Sequence, residues 1–103
     1  MKRKWTWGEK HNRRVWTKKE FNALKGCECY NINNPQWGIF KILGTKHPMW
    51  KKETSLFFVG CDDGADYSYG EDPYSFCESH AWREKSSGRW RLCGVLFVLQ
   101  LAH

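Results

Sequence analysis

Two apolar runs decide the fold class of this chain: WGIFKIL at Trp37–Leu43 and SLFFVG at Ser55–Gly60. Both runs are rich in aromatic and β-branched residues, which is typical of β-strands. The polar stretch 44–54 is a connection, so we expect the two strands to pair as an antiparallel ribbon. A third run, Val95–Leu99, is continuously apolar, which is typical of a strand buried on both faces. We therefore predict that a strand over Arg89–Leu101 lies in the centre of the sheet.

Two helices are predicted from their start signals. Thr17 and Glu20 have the spacing of a capping box, and Gly26 is a natural stop, so we predict a helix over about 18–25. A second helix is predicted over about 73–86, because Asp72-Pro73 reads as an N-cap followed by proline at the first helical position.

The chain of 103 residues fits one domain. We predict a single α+β domain over 1–103, with an antiparallel sheet of at least three strands and two helices. Residues 1–15 form a basic arm or a first strand, and 16–103 form the α+β core. Aromatic residues on or beside the predicted strands are expected to supply much of this core. These are Trp37, Phe40, Phe57, Phe58 and Trp90.

Charge is distributed unevenly along the chain, whose net charge is +6. Residues 1–25 contain nine Lys or Arg, interleaved with Trp. Cations neutralise phosphates and flat aromatic rings stack on exposed bases, so this region indicates binding to RNA or single-stranded DNA. We expect a non-enzymatic nucleic-acid-binding protein. The candidate contact residues are Lys2, Arg3, Lys4, Trp5, Trp7, Lys10, Arg13 and Arg14.

An acidic, tyrosine-containing stretch gives an alternative function. Residues 61–78 contain six Asp or Glu and no Lys or Arg. Tyrosine provides contact area at low entropic cost, so the segment 61–76 could serve a protein-binding inhibitor or adaptor. The candidate partner-binding residues are Asp62, Asp63, Asp66, Tyr67 and Tyr69.

Five cysteines and the absence of a signal-peptide pattern favour a reducing compartment, so we expect an intracellular protein, cytoplasmic or nuclear. Zinc is the one cofactor that the residues suggest. The pairs Cys27-x-Cys29 and Cys77-x-x-His80 have the short spacings from which tetrahedral sites are built. The alternative is that these thiols are reduced and buried as small apolar groups. We expect no other cofactor.

The sequence predicts neither a membrane partner nor a clear catalytic centre. Its longest apolar run is far short of the roughly 20 residues that a membrane helix needs. Cys77 and His80 would point the same way from one helix, which does not suit a nucleophile and its base. We therefore lean towards a protein that is not an enzyme.

One family resemblance bears on this expectation. Gly38-Ile39-Phe40 and Phe58-Val59-Gly60 resemble the paired strand signatures of the GIY-YIG nucleases, and the helix predicted next carries His80 and Arg83. The resemblance covers about 37–99 and implies an α+β nuclease-like domain. Phenylalanine stands where both signatures of the family have tyrosine, so the resemblance implies an inactive relative and carries over no catalytic residue.

Overall fold

The first helix, α1 (Lys18–Ala23), begins where its capping signal predicts. In the computed structural model, which describes residues 16–61 and 68–92, Thr17 Oγ1 accepts a hydrogen bond from the Glu20 amide at 3.2 Å. Glu20 Oε1 accepts one in return from the Thr17 amide at 3.0 Å, which completes the capping box. The helix ends two residues before the predicted end. The chain turns there and reaches Gly26, whose φ of +88° suits glycine.

The described strands form one antiparallel sheet of six, which confirms the α+β class and exceeds the predicted minimum of three. The strands β2 and β3 pair antiparallel, as expected for the two apolar runs. A single 3₁₀ turn, Pro35–Trp37, precedes β2. The sheet order is β4-β3-β2-β1-β5-β6, where the strands are β1 (Glu28–Asn31), β2 (Phe40–Lys46), β3 (Glu53–Gly60), β4 (Tyr69–Glu71), β5 (His80–Arg83) and β6 (Trp90–Leu92).

The second helix, α2, is shorter than predicted and spans Pro73–Ser79. Asp72 caps it as expected, with its side chain accepting a hydrogen bond from the Ser75 amide at 3.0 Å. The prediction of helix up to residue 86 is wrong, because the backbone becomes extended at His80 and continues as β5. Pairing between β5 and β1 provides the hydrogen bonds that a longer helix would have made internally.

The predicted position of the last strand is also wrong for its described part. In the described sheet, β6 pairs only with β5 and lies at the end, not in the centre. The apolar run Val95–Leu99 lies outside the described residues.

Both helices pack on one face of the sheet around three phenylalanine rings. Phe21 of α1 stacks on Phe57 of β3 with ring centroids 4.1 Å apart, and Phe76 of α2 meets Phe21 edge-on at 4.7 Å. All three rings are buried. Burial of such rings is a main source of stability in a small domain.

Three of the five aromatic residues predicted for the core are buried, namely Phe40, Phe57 and Phe58. The prediction is wrong for Trp37 and Trp90, whose exposed fractions are 52% and 39%. Trp37 lies in the 3₁₀ turn that precedes β2, and Trp90 lies on an end strand of the described sheet. Neither position is enclosed by the helices.

Candidate functional site

Tyr30, Arg83 and Trp90 lie together on the sheet face opposite the helices. The register places Trp90 of β6 directly across from Arg83 of β5, and Tyr30 of β1 across from Ala81. Residues two apart on a strand share a face, so these side chains meet. The Tyr30 ring stands edge-on to Trp90 at 5.0 Å, and the Arg83 guanidinium carbon lies 5.7 Å from the centre of the Trp90 ring.

The alternating residues of these strands face the helices instead. Cys29 is fully buried, and Trp82 packs edge-on against Trp16 at 6.0 Å. Among the described residues, both helices pack on that side, so neither covers Trp90. The sequence signal for this arrangement is the alternation in His80–Arg83 and Trp90–Leu92, but only the register shows that Trp90 and Arg83 are opposite each other.

Arg83 is the cation that the described structure places over the Trp90 ring. Arg83 Nη1 pairs with Glu28 Oε1 at 3.1 Å, and its Nε donates to the carbonyl oxygen of Gly88 at 3.1 Å, so the guanidinium is held in place. A neighbouring cavity of about 440 Å³ is lined by three cations, Arg83, Lys41 and Lys85, and by two carboxylates, Glu28 and Glu84. We call this surface the Trp90 face. It consists of Tyr30, Arg83 and Trp90, and the cavity lies beside it.

A second candidate site lies at the other end of the sheet and contains one residue that the sequence singled out, Tyr69. Its ring meets Phe40 at 5.3 Å and Trp37 at 6.0 Å, edge-on in both cases. These rings border a cavity of about 450 Å³, which we call the Tyr69 cavity. Its lining residues are Trp37, Phe40, Ser68, Tyr69, Gly70 and Glu71.

A series of hydrogen bonds runs from Tyr69 through His80 to Ser79. The Tyr69 hydroxyl lies 2.6 Å from His80 Nε2, and His80 Nδ1 lies 2.8 Å from Ser79 Oγ and 3.3 Å from the Phe76 carbonyl oxygen. The Phe76 carbonyl can only accept, so Nδ1 carries the proton and Nε2 accepts from Tyr69. Ser79 Oγ has one proton to donate, and the Ser75 carbonyl oxygen at 2.6 Å is a nearer acceptor than Glu71 Oε2 at 3.2 Å.

Burial determines the protonation states of these hydrogen-bonded groups. It lowers the pKa of His80 to about 4, so the ring is neutral at pH 7. Burial also raises the pKa of Tyr69 and the pKa of Glu71. These buried polar groups form hydrogen bonds with one another, and His80 takes part in them as a neutral ring.

The structure does not gather the four residues of the zinc prediction into a metal site. Within 16–61 and 68–92, no three His, Cys, Asp or Glu side chains are placed to hold a metal ion. Cys27, Cys29 and Cys77 are buried as free thiols, and burial, with the nearby Cys27, raises the pKa of Cys29 to about 12. His80 belongs to β5, so the expectation that it shares a helix face with Cys77 is wrong. Zinc binding stays a prediction from the sequence.

Most of the other predicted site residues lie outside the described residues. This applies to the nucleic-acid candidates Lys2, Arg3, Lys4, Trp5, Trp7, Lys10, Arg13 and Arg14, and to the partner-binding candidates Asp62, Asp63, Asp66 and Tyr67. No helix in the described part of the chain is long and apolar enough to cross a membrane.

Of the two signatures that resemble GIY-YIG nucleases, Phe58-Val59-Gly60 lies in β3, whereas the first has only Phe40 in β2 and its Gly38 and Ile39 precede that strand. His80 and Arg83 are on β5 and not on the following helix, in contrast to the order that the resemblance implies. Searches of protein-family models, curated proteins and solved structures find no match to this chain.

Proposed function

We propose that this protein binds single-stranded nucleic acid, with the Trp90 face as a base-stacking surface. The observation that supports the proposal is the exposed Trp90 ring, bordered by Tyr30 and Arg83 on the face opposite the helices. The basic residues of the N-terminal region, Lys2 to Arg14, would add contacts to phosphates.

The Trp90 ring is prepared for stacking. Its edge contact with Tyr30 and the guanidinium of Arg83 restrict its motion, so little conformational entropy is lost when a base covers it. Its exposed fraction of 39% leaves ring surface available. Stacking on an aromatic side chain contributes about 1–3 kcal/mol per base and tolerates any sequence.

Arg83 can bind a phosphate while keeping its present contacts. Its Nη1 and Nε atoms bond to Glu28 and Gly88, whereas its Nη2 group makes no hydrogen bond to the described residues. A guanidinium has five N–H donors in a fixed fork, so one side remains for an anion. The adjoining cavity is lined by Lys41, Arg83 and Lys85 and by Glu28 and Glu84, so the charge of its lining is weakly positive.

The exposed Trp90 ring favours binding to single strands over binding to duplexes. A base must be unstacked before an aromatic ring can cover it, and single strands offer such bases without the cost of opening a duplex. The net charge of +6 attracts any polyanion, so charge alone does not distinguish single strands from duplexes. The stacking ring supplies the difference.

A binding titration with a labelled single-stranded RNA of about 12 nucleotides tests the proposal, with Trp90→Ala as the variant. We expect the dissociation constant to rise about tenfold, because one stacking contact is lost. Trp50→Ala is the matched control, since Trp50 is exposed but packs against Phe58 in another part of the sheet. Equal binding by wild type and Trp90→Ala, or no binding at low salt, would contradict the proposal.

A second candidate function is protein binding through the acidic, tyrosine-rich segment. One observation favours it: Tyr69 lies in the wall of an open cavity that also carries the carboxylate of Glu71. This cavity carries the carboxylate of Glu71, whereas the Trp90 face carries the guanidinium of Arg83. It therefore suits a different partner.

A further inference from the structure

The Tyr69 cavity continues into a wider acidic groove. The groove has a volume of about 660 Å³ and shares Trp37, Gly70 and Glu71 with the cavity. Asp72 and Glu78 also line it, and no Lys or Arg is among its described lining residues. Aromatic rings thus border one end of a continuous depression, and carboxylates border the other.

Glu71 is a half-buried carboxylate without a positive partner in the described part of the chain. Ser79 Oγ is its one described hydrogen-bond partner, at 3.2 Å from Oε2. Asp72 differs, because Ser75 occupies both of its oxygens through the amide and the hydroxyl, each at 3.0 Å. The second oxygen of Glu71 is therefore free to accept a hydrogen bond from a cationic ligand.

Trp37 supplies a ring beside this carboxylate. Its exposed fraction is 52%, and its ring is oriented by an edge contact with Tyr69. The face of an indole attracts cations, and tryptophan is the best of the aromatic side chains for this contact. A cation between Trp37 and Glu71 would gain from both groups at once.

Ser68 lines the same cavity, and its hydroxyl oxygen is enclosed within the cavity wall. Its hydroxyl oxygen is buried and has no hydrogen-bond partner in the described structure. Buried polar atoms are nearly always paired, since an unpaired one costs free energy. The oxygen is closed off from the cavity and lies against Gly60 of β3, so a cation in the cavity is expected to contact Trp37 and Glu71 rather than Ser68.

We propose that the Tyr69 cavity and its adjoining groove bind the cationic side chain of an arginine or lysine on a partner polypeptide. The amide side chains of Asn33 and Asn34 line the groove and can bond to the backbone on either side of that residue. The inference rests on the protein-binding candidate and not on nucleic-acid binding, so the two can fail separately.

An NMR titration of the full chain with short capped peptides tests this inference. The probes are Gly-Ser-Arg-Ser-Gly, its lysine counterpart and its glutamine counterpart. We expect the arginine and lysine peptides to cause saturable shifts at the Trp37 indole N–H and at the amides of Gly70 and Glu71. The glutamine peptide should cause none, because it lacks the charge. Equal shifts with the glutamine peptide, or shifts elsewhere on the molecule, would overturn the proposal.

Two variants and one small probe complete the test. Glu71→Gln should raise the dissociation constant of the arginine peptide about tenfold, as expected for the loss of a hydrogen bond to a charged group. Glu53→Gln, outside the cavity and groove, should change it less than about twofold. If Glu71→Gln loses its native spectrum, Trp37→Ala gives the same test at an exposed position. Methylguanidinium binding as tightly as the peptide would show a small-cation site and overturn the polypeptide partner.

Discussion

His80 is the residue whose environment differs most from what its sequence neighbours indicate. It follows directly on a helix, yet its exposed fraction is 1%, its ring stacks on Phe76 at 4.4 Å and both ring nitrogens are engaged. A neutral imidazole can satisfy Tyr69 on one side and Ser79 on the other. A protonated ring would lose the bond that it accepts from Tyr69 and would carry an unpaired charge in the core.

This burial predicts a pH dependence of stability. The pKa of His80 is about 4 in the folded chain and about 6.5 when unfolded. Between these values the unfolded chain binds more protons, so the free energy of unfolding falls as the pH falls. From pH 7 to pH 5 this single group should cost about 2 kcal/mol.

Urea unfolding at pH 7 and pH 5 measures this effect, with His80→Gln as the comparison. The variant should be less stable at pH 7, but its stability should fall less between the two pH values. The difference between the two slopes isolates His80 from the carboxylates, which titrate in both proteins. Identical slopes for wild type and variant would show that His80 is not held neutral by burial.

At the scale of elements, local signals predicted where some elements begin. The capping box placed the start of α1, and the aromatic and β-branched runs placed β2 and β3. These signals act over a few residues, so they can be recognised in one sequence. The prediction is wrong for the C-terminal half of the second helix. That segment forms β5, which depends on pairing with β1 and not on a local signal.

In the candidate sites too, local sequence predicts some residues, whereas others come together only through strand pairing. Tyr69 was predicted from its composition-biased segment and does line a cavity. Tyr30 and Arg83 were not singled out as binding residues, and Trp90 was assigned to the core. The contact among these three depends on the register of β1, β5 and β6, which are distant in sequence. Periodicity identifies a strand, but it does not identify the neighbour of that strand.

The capping box gives a prediction for α1. Thr17→Ala removes the acceptor for the Glu20 amide, so the free energy of unfolding should fall by about 1 kcal/mol. Chemical denaturation measures the change. Lys19→Ala is a suitable control, since Lys19 is exposed within the same helix and makes no capping contact. An equal effect of both substitutions would show that helix propensity, not the cap, determines the stability of α1.

At the scale of the whole molecule, the two candidate sites differ in charge. The cavity beside the Trp90 face has one more cation than carboxylates among its described lining residues, whereas the depression beside Tyr69 carries Glu71 and Asp72 and no described Lys or Arg. Phosphates would be attracted to the first site and repelled by the second. The two ligands that we propose would therefore not compete for one surface.

The N-terminal cations give a prediction at this scale. If Arg13 and Arg14 contact phosphates, replacing both with Ala should weaken binding to all single strands about equally. The slope of log K against log salt should become shallower by about 1.4 units, since fewer counterions are released from a single strand. Binding titrations at several salt concentrations measure the slope.

A matched pair separates local contacts from net charge. Replacing Lys51 and Lys52 with Ala removes the same charge from exposed positions between β2 and β3. This control should leave the slope nearly unchanged. If both pairs reduce the slope equally, the arginines act only through net charge, and the assignment of the N-terminal region as a phosphate-binding segment is wrong.

The most direct test of nucleic-acid binding at the Trp90 face is a residue-resolved NMR titration of the full chain with a single-stranded oligonucleotide of about ten uridines. The account predicts saturable shifts at the Trp90 indole N–H and at the backbone amides of Tyr30 and Arg83, with the Trp37 indole unchanged. Shifts confined to Trp37 and Glu71, or no shifts at low salt, would contradict it.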